Sequence, residues 1–361
     1  MLARGETHKL MAGHAFSFYA IAFSLFLLAV ALLSTTQGAV STSFSEVMRF
    51  LGASLGMADS QHLDPVQQAV LENIRLPRIV LTILVGAGLG VSGLALQGLF
   101  RNPLADPALI GVSSGAALFA SAVIVFESSI TGTLVHNYLG AYMLPVAAFL
   151  GSFIVSSIVL QLSRVRGKTD IATMLLAGIA INAIAQAGTG LITYLSDDTQ
   201  LRTLTFWLMG SLSGADWQQL KVVSPLILPG IVVLIIQARA LNAVMLGESV
   251  AEHLGFRIQR IKLTIILAVS VCVGAAVALT GIIGFVGLVV PHIVRLIIGP
   301  NHRQTFPLSA LFGAVVLLLA DLVSRTVVIP EELPIGIVTS IFGGPFFLWL
   351  LMQRNSRQRQ I

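Results

Sequence analysis

Gly167, Lys168 and Thr169 come nearest to a chemical motif in this chain, because Gly-Lys-Thr ends the loop that cradles nucleotide phosphates. That loop also needs a glycine five positions before its last one. Position 162 is Leu162, and no strand pattern precedes it, so the match fails. There is no HExxH pair, no CxxC, and no Ser, His and Asp set in the context of an activated nucleophile. The reading is a chain that is not an enzyme, with no metal site and no permanently bound cofactor. Cys272 is the single cysteine, which rules out an intrachain disulfide. The seven histidines are scattered, and His292 and His302 are read as structural hydrogen-bonding groups. Asp321 is the one acid well inside an apolar run, where an ionisable group is costly enough to suggest a role. Two readings are open: pairing with Arg325 one turn later or with a neighbouring helix, or a proton-coupling carboxylate, for which no second buried acid or base stands ready.

What would position these residues is a membrane. Hydrophobic residues make up 56% of the chain and charged ones 10%, more apolar surface than a soluble domain of this length hides. Crossing a hydrocarbon core of about 30 Å takes roughly 20 apolar residues of helix. Ten stretches qualify, at 15–37, 78–99, 108–127, 139–163, 171–195, 219–238, 261–280, 282–298, 306–326 and 333–352, the seventh and eighth split at Thr280 and Gly281. The fold class is all-α, a single polytopic membrane domain. With the N-terminus cytoplasmic, all but six of the 21 Lys and Arg (Arg49, Arg75, Arg78, Arg202, Lys221, Arg325) fall inside, as retention of basic loops requires. Both termini are then cytoplasmic. No basic run with interleaved aromatics suggests nucleic acid as a partner.

Four segments break the apolar pattern. Residues 38–77 form an outer loop with amphipathic character from Ser45 to Leu55. In 196–218, Leu204, Trp207, Leu208 and Leu212 form a helical stripe, read as a surface or half-inserted helix. In 241–257, Leu246, Val250 and Leu254 recur every four positions beside Glu248, Glu252 and His253, which fits either a membrane-surface helix or a docking helix for a cytoplasmic partner. RNPLADP, residues 101–107, carries two prolines that force a rigid reversal. Glycines at 86, 90, 93, 281, 284, 287, 336, 343 and 344 are read as close helix contacts.

RLPR (Arg75 to Arg78), GAGLGVSGLALQGLFRNPLADPALIGVSSGA (Gly86 to Ala116), GIIGFVGLVVPHIVR (Gly281 to Arg295) and LPIGIVTSIFGGPFFLWLL (Leu333 to Leu351) resemble the iron-siderophore, haem and cobalamin permeases of ABC importers. The resemblance implies a homodimer of ten-span subunits in the cytoplasmic (inner) membrane, with two ATPase subunits inside and a substrate-binding protein outside. ATP is then used by another chain. It implies ATPase coupling through Asn242, Leu246, Gly247, Glu248, Ala251, Leu254 and Gly255, and docking of the binding protein on Arg75, Arg78 and Arg325. It further implies a cytoplasmic gate at Asn102, Leu104, Ile171 and Ala172, although the last two are more apolar than the hydroxyl residues of the cobalamin branch. Residues 189–214 are most similar to the haem branch, in which Arg202 meets a propionate near the outer mouth. Pairing of Arg202 with Asp197 or Asp198 is the other reading.

Overall fold

The computed structural model describes residues 2–38, 42–54, 64–130 and 140–358. Parts of the expected 38–77 loop, the residues between the third and fourth stretches, and the last three residues lie outside that set. Among the described residues, seven helices are long and apolar enough to cross a bilayer. Three shorter apolar helices complete the ten expected stretches.

The order is α1 (Leu2–Thr36), α2 (Phe44–Ser54), α3 (Pro65–Val70), a π turn (Leu71–Arg75), α4 (Leu76–Phe100), a 3-10 turn (Pro107–Ile110), α5 (Val112–Ile130) and α6 (Met143–Leu162). A two-stranded hairpin, β1 (Arg164–Val165) and β2 (Lys168–Thr169), leads to α7 (Ile171–Tyr194), α8 (Asp198–Met209), α9 (Trp217–Ile236), α10 (Ala238–Met245) and α11 (Glu248–His253). The chain continues through α12 (Ile258–Thr280), α13 (Val286–Ile298), α14 (His302–Ser324) and α15 (Ile335–Gln358). We call the end holding the hairpin, α10 and α11 the lower end, and the end holding Arg75, α8 and Arg325 the upper end.

Side chains that accept backbone N–H groups set several starts. Asp170 caps α7, Asp216 caps α9 and Asn301 caps α14. Asp197 and Gln200 form a reciprocal capping box on α8. The stripe expected in 196–218 faces inward, with Leu204 and Leu212 buried and Trp207 and Leu208 half-buried.

At the centre stands α4, the most buried span, packed against α9, α12, α13 and α14. Helices in lipid associate by packing, so small residues decide how near they come. A Cβ at Gly86 would lie 2.4 Å from the Gly313 carbonyl oxygen of α14, and one at Gly93 would lie 1.8 Å from that of Gly287 in α13. The expectation of close contacts holds there, but Gly284 and Gly344 face open space.

The split between the seventh and eighth stretches lies where the small residues place it. Helix α12 ends at Thr280, and position 281 calls for glycine twice over, by its φ of 66° and because a Cβ there would meet the Trp207 carbonyl oxygen at 2.1 Å. With 13 residues, α13 rises only about 20 Å. The irregular segment before it is tolerated because protein surrounds it: Ser211 donates its backbone N–H to the Thr280 carbonyl at 2.8 Å.

The glycine contacts generate a paired test. Gly93→Ala should cost about 1–3 kcal/mol by overpacking, whereas Gly344→Ala should be neutral or slightly stabilising. Denaturant unfolding of the purified protein reads both, and equal effects would contradict such close packing at Gly93.

Candidate functional site

At the upper end four charged side chains from three parts of the chain converge. Arg78, in the first turn of α4, donates from Nε and Nη2 to Asp321 Oδ1 at 2.9 and 2.8 Å. It also donates from Nη1 and Nη2 to the two Glu332 oxygens at 2.8 and 2.9 Å. Arg325 approaches Asp321 Oδ2 at 3.4 Å, one turn along α14. Asp321 is fully buried, and Arg75, Arg78 and Arg325 are only 4%, 6% and 6% exposed. Both pairing partners foreseen for Asp321 are therefore present: Arg325 on its own helix and Arg78 on a neighbour.

The same guanidinium groups close the end of α1, whose last carbonyls have no partner within the helix. Arg325 donates to the carbonyls of Ser34 at 2.7 Å and Gln37 at 3.0 Å, and Arg75 donates to the Thr35 carbonyl and, at 2.9 Å, to Thr42 Oγ1. The three arginines, which the resemblance assigns to docking of the binding protein, are thus buried, engaged groups. The physical reason lies far along the chain: Asp321 and Glu332 are 243 and 254 residues from Arg78, a pairing that local spacing does not display.

At the lower end the expected single amphipathic helix over 241–257 is two short helices, broken where Gly247 takes φ 123°. Ala251 is fully buried and anchors α11, whereas Leu246, Val250 and Leu254 are 69%, 42% and 60% exposed. The apolar stripe therefore faces away from the bundle. The pair is held from behind. Asn242 Oδ1 accepts from the His302 backbone N–H at 2.9 Å and lies 2.8 Å from His302 Nδ1, and Asn242 Nδ2 donates to Asn301 Oδ1 at 2.8 Å. His302 has the structural role expected of it.

Glu248 is tied inward. It pairs with Lys262 Nζ at 2.9 Å, and that ammonium also donates to the Thr169 carbonyl of the hairpin at 2.9 Å. The Lys262 side chain is 4% exposed and that of Glu248 34%. Sequence reading missed Lys262; its signal is an ammonium four residues into an apolar helix. Gly255 takes φ 87° and lets the chain turn into α12.

The four expected gate residues all lie at the lower end. Asn102 Oδ1 accepts from the Leu104 N–H at 3.0 Å and Leu104 is 50% exposed, so the turn is rigid and presents an apolar tip. Ile171 and Ala172 open α7, where Asp170 accepts from the Thr173 N–H at 2.7 Å and its hydroxyl at 2.8 Å. Those bonds hold the Asp170 carboxyl below its ordinary range. Arg202 is exposed on α8, with Cζ 5.9 Å from the centroid of the Phe206 ring. Asp197 is occupied by its capping box instead of by Arg202.

The buried ammonium at the lower end yields a direct expectation. Glu248→Gln leaves Lys262 without its carboxylate and should destabilise the protein by about 1–3 kcal/mol, while Glu252→Gln on the exposed side of α11 should change stability by less than about 0.5 kcal/mol. Thermal unfolding in detergent separates the two.

The FecCD transport family matches residues 26–353. The hemin transport system permease protein HmuU of Yersinia pestis is 45% identical over 339 residues, covering 94% of this chain and 96% of its own. The cobalamin import system permease protein BtuC of Halobacterium salinarum is 42% identical over 290 residues, covering 80% and 75%. A solved structure, an inward-facing conformation of an ABC transporter assigned to the metal-chelate type, superposes with a TM-score of 0.80 at 32% identity, covering 92% of this chain and 98% of its own. With a fold shared over 92% of its length and a family match over residues 26–353, which takes in the last nine of its ten apolar stretches and about half of the first, this chain belongs to the FecCD transport family.

Proposed function

We propose that this permease carries haem inward across the cytoplasmic membrane as a homodimer, with two ATPase subunits at its lower end and a substrate-binding protein at its upper end. The observation that carries the coupling half is the exposed stripe of Leu246, Val250 and Leu254 on a helix pair pinned from behind by Asn242 and Glu248. An apolar surface on rigid backing suits a partner that must push without being absorbed. Glu248 then acts as a strut between the helix pair and α12, and the leucines make the contact.

The lower end is the cytoplasmic one on this reading, with both termini on that side. Arg164, Arg166, Lys168, Arg239, Arg257, Arg260 and Arg303 are all exposed there. The upper arginines depart from the inside bias without contradicting it, because they are buried among partners. They support docking of the binding protein indirectly, by fixing the exposed loop around Glu331 and Glu332. Apolar faces on α7 (Leu176, Ile179, Ile184) and α15 (Ile341, Phe342, Leu348) stay uncovered in one copy, which supports a second copy with the pathway between them. ATP binds to the partner subunits, and this chain holds no cofactor.

Haem as substrate rests on the similarity to the hemin permease, together with Arg202, whose paired donors suit a carboxylate. Cobalamin is the second reading, favoured by the 42% identity to a cobalamin permease.

Reconstitution tests both halves. Alone, the permease should not hydrolyse ATP. Leu246→Asp combined with Leu254→Asp should leave the fold intact, since both side chains are exposed, and reduce co-purification of the ATPase at least tenfold. Full assembly with the double variant would place the contact elsewhere. Uptake into proteoliposomes should follow a haem-loaded binding protein, and stimulation by a cobalamin or siderophore carrier alone would overturn the substrate assignment.

A further inference from the structure

Val146, Leu150, Ile154, Ile158 and Leu162 stand four residues apart on α6, and all five side chains are exposed, Leu162 most of all at 54%. At 1.5 Å per residue the line they form is about 24 Å long, close to the depth of a hydrocarbon core. Its composition separates it from a helix contact. Helices in lipid approach one another through small residues, and α6 uses its own against α5, where a Cβ at Gly151 would lie 2.3 Å from the Gly115 carbonyl oxygen. The exposed line holds only branched aliphatic side chains, and the faces that suit a second copy are on α7 and α15. Acyl chains fit it.

The line ends at a cluster of charge. Leu162 is the last residue of α6, and the hairpin that follows presents Arg164, Arg166 and Lys168, each of them exposed. Arg166 and Gly167 take φ 51° and 78°, the two positive angles of a tight two-residue turn between strands. This platform is fixed from behind. Thr169, the buried residue of the second strand, donates its N–H to Gln259 Oε1 at 2.8 Å and accepts from Lys262 Nζ at 2.9 Å, so both tethers run to α12. Among the described residues none of the three cations is in an ion pair. Asp170, the nearest acid in sequence, is occupied by the first turn of α7. Three unpaired cations therefore stand at the depth where α6 leaves the hydrocarbon, which is where lipid phosphates lie.

We infer that α6 and the hairpin form a site for an anionic phospholipid, whose acyl chains lie along Ile154, Ile158 and Leu162 and whose phosphate rests among Arg164, Arg166 and Lys168. Juxtamembrane Lys and Arg each add to the attraction for anionic headgroups, and an arginine fork offers paired donors to phosphate oxygens. A zwitterionic headgroup brings its own cation and gains less. Bound there, the lipid is a third tether on the hairpin beside Gln259 and Lys262. Helix α7 starts directly after the hairpin, so the lipid also steadies the lower end of α7 and, through Lys262, the Glu248 contact that holds α11.

Thermal unfolding of the delipidated permease in a non-ionic detergent, titrated with phosphatidylglycerol or phosphatidylcholine, reads the site, and native mass spectrometry counts the lipid retained. Phosphatidylglycerol should raise the unfolding temperature and bind more tightly than phosphatidylcholine by about tenfold or more. Arg164→Gln combined with Arg166→Gln and Lys168→Gln should lose that preference, while unfolding in phosphatidylcholine stays as in the wild type because all three side chains are exposed and unpaired. Arg164→Lys with Arg166→Lys should keep the preference. Inorganic phosphate should give no shift, because the headgroup is held together with its chains. An equal response of the wild type to both lipids would overturn the site, as would an undiminished preference in the triple variant or a full shift with inorganic phosphate alone. If the triple variant keeps its lipid preference but loses co-purification with the ATPase, the hairpin is a protein contact and the inference falls.

Discussion

A fully buried carboxylate held between two guanidinium groups is the interaction on which the upper half of this permease depends. Asp321 is fully buried, Arg78 grips it with two hydrogen bonds and Arg325 approaches from one turn away. Removing one partner of such a set leaves an uncompensated charge, commonly at a cost of about 3–5 kcal/mol. Once formed, the set fixes α4 against α14, clamps the last carbonyls of α1 through Arg75 and Arg325, and reaches Glu332 ahead of α15. Helix α1 has few buried side chains along its span, and its upper end is held by these bonds together with the packing of Val30 against Ile79 and Leu318.

The lower end solves a different problem. The apolar stripe of Leu246, Val250 and Leu254 stays exposed and does not collapse onto the bundle, because it lies on two short helices with a bend at Gly247. Asn242 ties the first to the start of α14, and Glu248 ties the second to Lys262 in α12. Helix α14 thus begins beside the exposed apolar stripe and ends one turn past Asp321, and α4 lies against it through glycine contacts that leave little room for sliding. A stiff pair of helices joins the two ends of the molecule.

Much of the fold was legible in the sequence because bilayer physics is written in composition. The ten stretches, the break at Gly281, the rigid reversal at 101–107 and the short helix within 196–218 follow from hydropathy, from small residues that permit a turn, from two prolines and from a helical stripe. Side-chain partners were not legible. Arg78 and Asp321 are 243 residues apart, and the rule that outer arginines are conspicuous says nothing of whether they are free. Reading 241–257 as one helix failed because the period of Leu246, Val250 and Leu254 continues through Gly247, hiding the bend. A charge such as Glu248 on an amphipathic segment looks exposed in sequence, and Lys262, which turns it inward, sits in the next helix.

The coupling energy between Arg78 and Asp321, from a double-mutant cycle with Arg78→Met and Asp321→Asn in denaturant unfolding, tests the central claim most directly. If the pair locks α4 to α14, the two single losses should exceed additivity by about 1–3 kcal/mol. Additivity within about 0.5 kcal/mol would mean that the two side chains act independently, and that the upper end is held together by something other than this ion pair.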